Sequence, residues 1–115
     1  MQFSKTSHPI TAYDEFTGSL SFGETGDCKF WAQRLNKVVT LGIHQCRLTP
    51  FGSIVNSLAP LPVELWPAYD DVRSEVVEIA QETGIVSLGY AQEAGIAIGY
   101  FDGQLGAETF VYRGK

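Results

Sequence analysis

The residues best able to do chemistry are gathered in one stretch, "DCKFWAQRLNKVVTLGIHQCRL", which carries both cysteines, Cys28 and Cys46, and one of the two histidines, His44. If this stretch folds as a hairpin turning at Asn36 and Lys37, Cys28 comes opposite the neighbourhood of Cys46, and Phe30 opposite that of His44. Cys28, Phe30, His44 and Cys46 then share one face, while Trp31, Leu35, Val39, Leu41 and Ile43 form an apolar set on the other. Such a Cys/His group could hold a metal or act as a redox pair. Zinc, however, asks for four tetrahedral ligands and commonly for close Cys-x-x-Cys pairs, which are absent, and His8 would have to complete the set from an unplaced amino terminus. Free cysteine packs as a small hydrophobe. The expectation is therefore packing residues, with no metal and no cofactor.

Nucleophilic catalysis needs a nucleophile within hydrogen-bond reach of its base. His44 and Cys46 sit two positions apart on one strand, roughly 6–7 Å, which is too far for a direct bond. Neither "GSI" nor "NSL" resembles a nucleophile elbow. Carboxylates are numerous, but Asp70, Asp71, Glu75 and Glu78 stand where a helix start would place them. Asp14, Glu15, Glu24, Asp27, Glu93 and Asp102 fall near turns. "GETG" and "GQLG" lack the strand-to-helix context of a phosphate loop. No catalytic residue is assigned, and the chain reads as a non-enzyme.

The elements that would position these residues begin with a length of 115, which sets the expectation of a single domain over 1–115. Composition is that of an ordinary globular protein, 44% hydrophobic and 18% charged. Eight Lys and Arg scattered through a chain of net charge −5 make a poor footprint for nucleic acid. No uncharged apolar run approaches the ~20 residues that span a bilayer, and "MQFSKTSHPITAYDEF" has no signal-peptide core. Two cysteines are too few for a disulfide scaffold. The expected location is cytoplasmic.

"LWPAYDDVRSEVVEIAQETG" reads as a helix over about 67–83. Pro67 suits its first turn, Asp70 and Asp71 the positive end of its dipole, and Gly84 its stop. Tyr69, Val72, Val76, Ile79 and Ala80 draw one apolar stripe. Ahead of it, "PFGSIVNSLAPLPVELWP" holds four of the five prolines and reads as a connection, with a turn of helix over Ser53 to Leu58 and with Leu58, Leu61, Leu65 and Trp66 tucked in. Strands are expected near 17–22, 28–35 and 38–48, and again at 85–91, 95–101 and 107–112. The fold class that follows is α+β: an antiparallel sheet of five or six strands in βββ-α-βββ order, with one principal helix packed on one face.

Alternation along the last three strands puts Val86, Leu88, Tyr90, Ile96, Ile98, Tyr100, Phe110 and Tyr112 on a bulky face. Ile85, Ser87, Gly89, Ala97, Gly99 and Phe101 form the other, shallow over its Ser, Gly and Ala positions. Two functions are expected from this. The first is a protein-binding module that neutralises a basic partner in the manner of an inhibitor or immunity protein. It would use an aromatic sheet face (Tyr90, Tyr100, Tyr112) and an acidic helix surface (Asp71, Glu75, Glu78, Glu82). The second is a domain that binds a small apolar ligand in a pocket between Ser87, Gly89, Ala97 and Gly99 and the helix or the Pro-rich connection, Trp66 included. The partner is thus a protein or a small apolar ligand, with no nucleic acid and no membrane, and an uncovered sheet face suits a homodimer.

Overall fold

A computed structural model describes residues 2–8, 13–50, 52–68, 77–80, 85–90, 94–99 and 105–114. The first three strands form a meander: β1 (Gln2–His8), β2 (Tyr13–Ser21) and β3 (Gly26–Leu35). β4 (Val38–Leu48) returns along β3, and β9 (Glu108–Arg113) pairs with β4 to complete a five-stranded antiparallel sheet in the order β1-β2-β3-β4-β9. The second sheet contains β5 (Ile54–Asn56), β6 (Val77–Ala80), β7 (Ile85–Tyr90) and β8 (Ala94–Gly99), in the order β5-β8-β7-β6. Two short 3-10 turns, Gly23–Thr25 and Val63–Leu65, are the helical elements among the described residues.

The α+β expectation is therefore corrected to all-β. The last third of the expected helix, Val77–Ala80, is a strand paired with β7, from Val77 opposite Leu88 to Ala80 opposite Ile85. Residues 69–76 and 81–84 lie outside the described residues. The physical reason is legible in "VVEIA". Val77 and Ile79 alternate with Glu78 and Ala80, so a period of two fits as well as the helical one, and β-branched residues are stiff in helices and at home in strands. A hairpin partner next door in sequence then settles the choice.

One core lies between the two sheets. Phe16, Leu20, Cys28, Phe30, Ala32, Val39, Leu41, Ile43, Phe110 and Tyr112 point inward from the five-stranded sheet and meet Val86, Leu88, Ile96 and Ile98 from the other. The bulky parity of 86–98 is thus buried against the amino-terminal meander, with no helix between them. Leu61 and Leu65 of the Pro-rich connection close one border of this core. Trp66 is half-buried beside them and donates its indole N–H to the Leu61 carbonyl at 2.7 Å, but Leu58 is 73% exposed. Ser53 to Leu58 holds the short strand β5 where a helical turn was expected.

The β3–β4 hairpin explains the arrangement of both faces. Leu35 pairs with Val38 across Asn36 and Lys37, and Asn36 has φ 54°, the left-handed value that tight hairpin turns require. From that turn the ladder runs Trp31 to Gly42 and Phe30 to Ile43, as far as Lys29 to His44, and it resumes at Asp27 to Arg47. Gln45, with φ 49°, is the extra residue of a bulge. The bulge brings Cys46 onto the face of Cys28, and the two sulfurs are joined in a disulfide. On the turn side of the bulge the parity is the opposite of that expected. Phe30 belongs with the core set Val39, Leu41 and Ile43, whereas Trp31, Leu35 and His44 face outward.

Candidate functional site

The outer face of the five-stranded sheet is open to solvent. Four rows cross it: Ser19–Lys29–His44, Ser4–Thr17–Trp31–Gly42–Thr109, Thr6–Glu15–Gln33–Thr40–Val111, and His8–Tyr13–Leu35–Val38–Arg113. On β2, β3, β4 and β9 inward apolar residues alternate with these outward ones, as expected of an antiparallel sheet with one wet face, whereas β1 shows no such alternation. Ser4, Thr17, Lys29, Thr109 and Val111 are exposed, while Gln33, Thr40 and His44 are half-buried.

Trp31 stands at the centre of this face, on the middle strand, among hydroxyl, amide, imidazole and ammonium groups. Its position follows from register, because it pairs with Thr17 on one side and Gly42 on the other. A side chain at position 42 would begin 3.7 Å from the indole Cε3 and 3.7 Å from the Thr109 hydroxyl. The ring therefore lies over the Gly42 backbone, an aromatic covering a glycine that would otherwise weaken the strand. That contact makes Trp31 half-buried, and the rest of the ring faces outward.

Beside Trp31 the face dips into a shallow open depression of about 450 Å³, lined by Phe3, Ser4, Thr17, Gly18, Ser19 and Lys29. At the opposite border His8 stacks on Tyr13, centroids 4.3 Å apart and planes 18° apart, with its Nε2 3.5 Å from Glu15 Oε1. Around the edge, Lys5 bridges Asp14 at 3.8 Å and Glu64 at 3.1 Å, tying β1 to the Pro-rich connection.

The residues expected to bind a partner do not assemble. Tyr112 is buried in the core and its hydroxyl donates to the Leu65 carbonyl. Burial pushes this phenol's pKa well above its ordinary value, and the nearby Arg34 guanidinium offsets only part of the effect. Tyr90 ends β7, opposite Ala94. Tyr100, Asp71, Glu75 and Glu82 lie outside the described residues, and Glu78 sits in a strand, opposite Ser87. There is no aromatic cluster and no helix carrying an acidic face among the described residues, so the neutraliser reading is withdrawn.

The pocket reading fails for a similar reason. Ser87 pairs with Ala97, Gly89 with Gly95, and Gly99 with both Ile54 and Ile85. These positions share a sheet, but no helix covers it among the described residues. Ile54 instead lies across Gly99, its Cγ1 3.5 Å from where a side chain there would start. The Pro-rich connection, Trp66 included, packs against the core. At Gly99 the small residue makes room for that neighbouring side chain.

Among the described residues, no group of three or more His, Cys, Asp or Glu could hold a metal ion. Cys28 and Cys46 are joined to each other, and His44 faces away from them. Nor is there, among the described residues, a helix long and apolar enough to cross a membrane. Sequence reasoning missed Trp31 because it was assigned to the core. The signal that could have found it is the two-residue turn at Asn36-Lys37, which pairs residue 31 with a glycine and residue 30 with an isoleucine. Comparison of the chain with protein-family models, with curated proteins and with solved structures gives no match.

Proposed function

We propose that this protein is a carbohydrate-recognition domain that binds a saccharide chain across the outer face of its five-stranded sheet. The observation carrying the reading is Trp31: a half-buried, outward-facing indole at the centre of the face, with Thr17, Lys29, Gln33, Thr40 and Thr109 around it and the apolar Leu35, Val38 and Val111 toward one border. A pyranose ring has an apolar C–H face and a rim of hydroxyls. It asks for a flat aromatic surface with hydrogen-bonding groups around it, in line with the general pattern of an apolar contact surface and a few placed polar groups. Gln33 and Lys29 flank Trp31 along β3, and Thr17 stands next to it across the ladder. Adjacent strands are about 4.8 Å apart, close to the length of one sugar residue in a chain, so successive residues can lie over successive strands.

Two further features fit. The face is five strands wide and open, which suits an extended polymer better than a small enclosed ligand. The Cys28–Cys46 disulfide belongs to an oxidising compartment, where saccharide surfaces are met; the reading thus replaces the expected cytoplasmic location with an extracytoplasmic one.

The test is a screen of immobilised and soluble polysaccharides, followed by fluorescence titration with the best of them. The chain has two tryptophans, and Trp66 is held against the core, so a ligand-induced change in emission should persist in Trp66→Phe and vanish in Trp31→Phe. Trp31→Ala should weaken binding at least tenfold, about 1.4 kcal/mol, with the far-UV circular dichroism of the sheet retained. Binding that survives Trp31→Ala unchanged, or a screen in which no saccharide is retained, would remove the proposal.

A further inference from the structure

Resting on the saccharide reading, we infer that the depression beside Trp31 is a subsite for an anionic substituent, a carboxylate or sulfate ester, so that the favoured polymer is an acidic polysaccharide. It is lined by four residues of the outer rows, the hydroxyl-bearing Ser4, Thr17 and Ser19 and the cationic Lys29, together with Phe3 and Gly18, which pair with each other in the row leading to the buried Phe30. Three hydroxyl donors around one cation is an arrangement for an oxyanion, whose oxygens accept both neutral and charge-assisted hydrogen bonds.

Lys29 is exposed and forms no ion pair among the described residues, in contrast to Lys5, which is held by Asp14 and Glu64. His44, directly opposite Lys29 in the ladder, adds a second nitrogen-bearing side chain to the same row. Asp27, two positions away on β3, is the nearest carboxylate along the strand and pairs across to Ser21 and Arg47. Lys29 also neighbours Trp31 on the same face of β3. With one sugar stacked on the indole and the chain running across the strands, the next lies over Thr17, where its acidic group enters the depression that Lys29 also lines.

The same stacking-plus-cation pairing could in principle accept a single-stranded nucleic acid. A phosphate backbone, however, needs a track of cations. Around Lys29 the face carries Asp27 and Glu15, and the whole chain has net charge −5. A sparse acid, with one charge per sugar or fewer, matches one lysine better than a dense polyanion does.

The experiment compares polygalacturonate, κ-carrageenan (a sparsely sulfated galactan), neutral galactan and oligo-dT as ligands for the full chain and for Lys29→Gln and Lys29→Glu, at low and high salt. The expected result is tighter binding of polygalacturonate or κ-carrageenan than of galactan. Lys29→Gln should weaken acidic-polymer binding by about fivefold, the scale of one exposed ion pair, and leave galactan unchanged. Lys29→Glu should abolish the preference, and salt should shrink it in the wild type. Which of the two acidic polymers is preferred tells carboxylate from sulfate ester. Galactan bound as tightly as the acids, or a preference that Lys29→Gln leaves intact, overturns the subsite while sparing saccharide recognition. Oligo-dT bound more tightly than any saccharide overturns it too. Failure to bind any of the saccharides overturns the saccharide reading and the subsite together.

Discussion

Tyr112 shows how a single residue can matter to stability in a place remote from the candidate binding face. Its hydroxyl, buried in the core, is the partner of the Leu65 carbonyl, so it fastens β9 to the 3-10 turn of the Pro-rich connection. Because burial raises the phenol's pKa above the ordinary value near 10, the folded state favours the neutral form. The contribution to stability is complete below about pH 10 and is lost as pH rises above that, since the unfolded chain ionises first. Tyr112→Phe should cost about 1–2 kcal/mol at neutral pH by orphaning the carbonyl, and should flatten the loss of stability between about pH 10 and 12. Urea unfolding across that range measures both effects. At the same scale, the sequence marks Trp31 only as an aromatic; its exposure is a consequence of pairing with Gly42.

At the scale of elements, the junction between the Gly23–Thr25 turn and β3 is a tightly constrained point in the backbone. Gly26 has φ 134°, and a methyl group there would meet the Arg47 carbonyl oxygen at 1.9 Å. Its own carbonyl accepts from the Phe22 N–H at 2.8 Å, closing the turn that leads from β2 into β3. Gly26→Ala combines a disfavoured backbone conformation with a steric clash and should destabilise by about 2–4 kcal/mol. Chemical denaturation should record this as a lower midpoint with an unchanged slope. Gly26 stands in the same "GETGD" turn that is readable from sequence, because turn residues announce themselves locally. β1 and β6 are different. β1, "QFSKTSH", is exposed on both faces from Phe3 to Ser7, so it has no hydrophobic alternation to betray it, and Lys5 turned toward the inner side is a feature that blunts an edge. β6 carries a pattern compatible with two periods, and only its neighbour β7 selects one.

For the whole molecule, the disulfide is the covalent constraint on the unfolded chain. It joins residues 18 apart in sequence, and the loop-closure model assigns such a link about 3 kcal/mol. Reduction, or the pair Cys28→Ala and Cys46→Ala, should lower stability by about that amount while leaving the sheet's circular dichroism in place. A thermal melt with and without reductant, together with a thiol count on the purified protein, checks this. The same count tests the extracytoplasmic location, because a cytoplasmic protein would return two free thiols.

The sequence by itself determined the local events: the strands of the β2–β4 meander, the turn at Asn36-Lys37, the alternation that sends Val86, Leu88, Ile96 and Ile98 to one side, and the absence of a familiar catalytic motif. Each of these is written within a few residues, because turn chemistry and a period of two act at short range. Tertiary structure alone decided that β9 pairs with β4 across some sixty intervening residues, that Val77–Ala80 is a strand, and that the meander, not a helix, covers the bulky face. It also decided which side of β3 is wet. A hairpin's register turns on a single residue, and a one-residue shift exchanges the two faces. The bulge at Gln45 makes that exchange inside β4, joining Cys28 to Cys46 while Trp31 stays on the outer face.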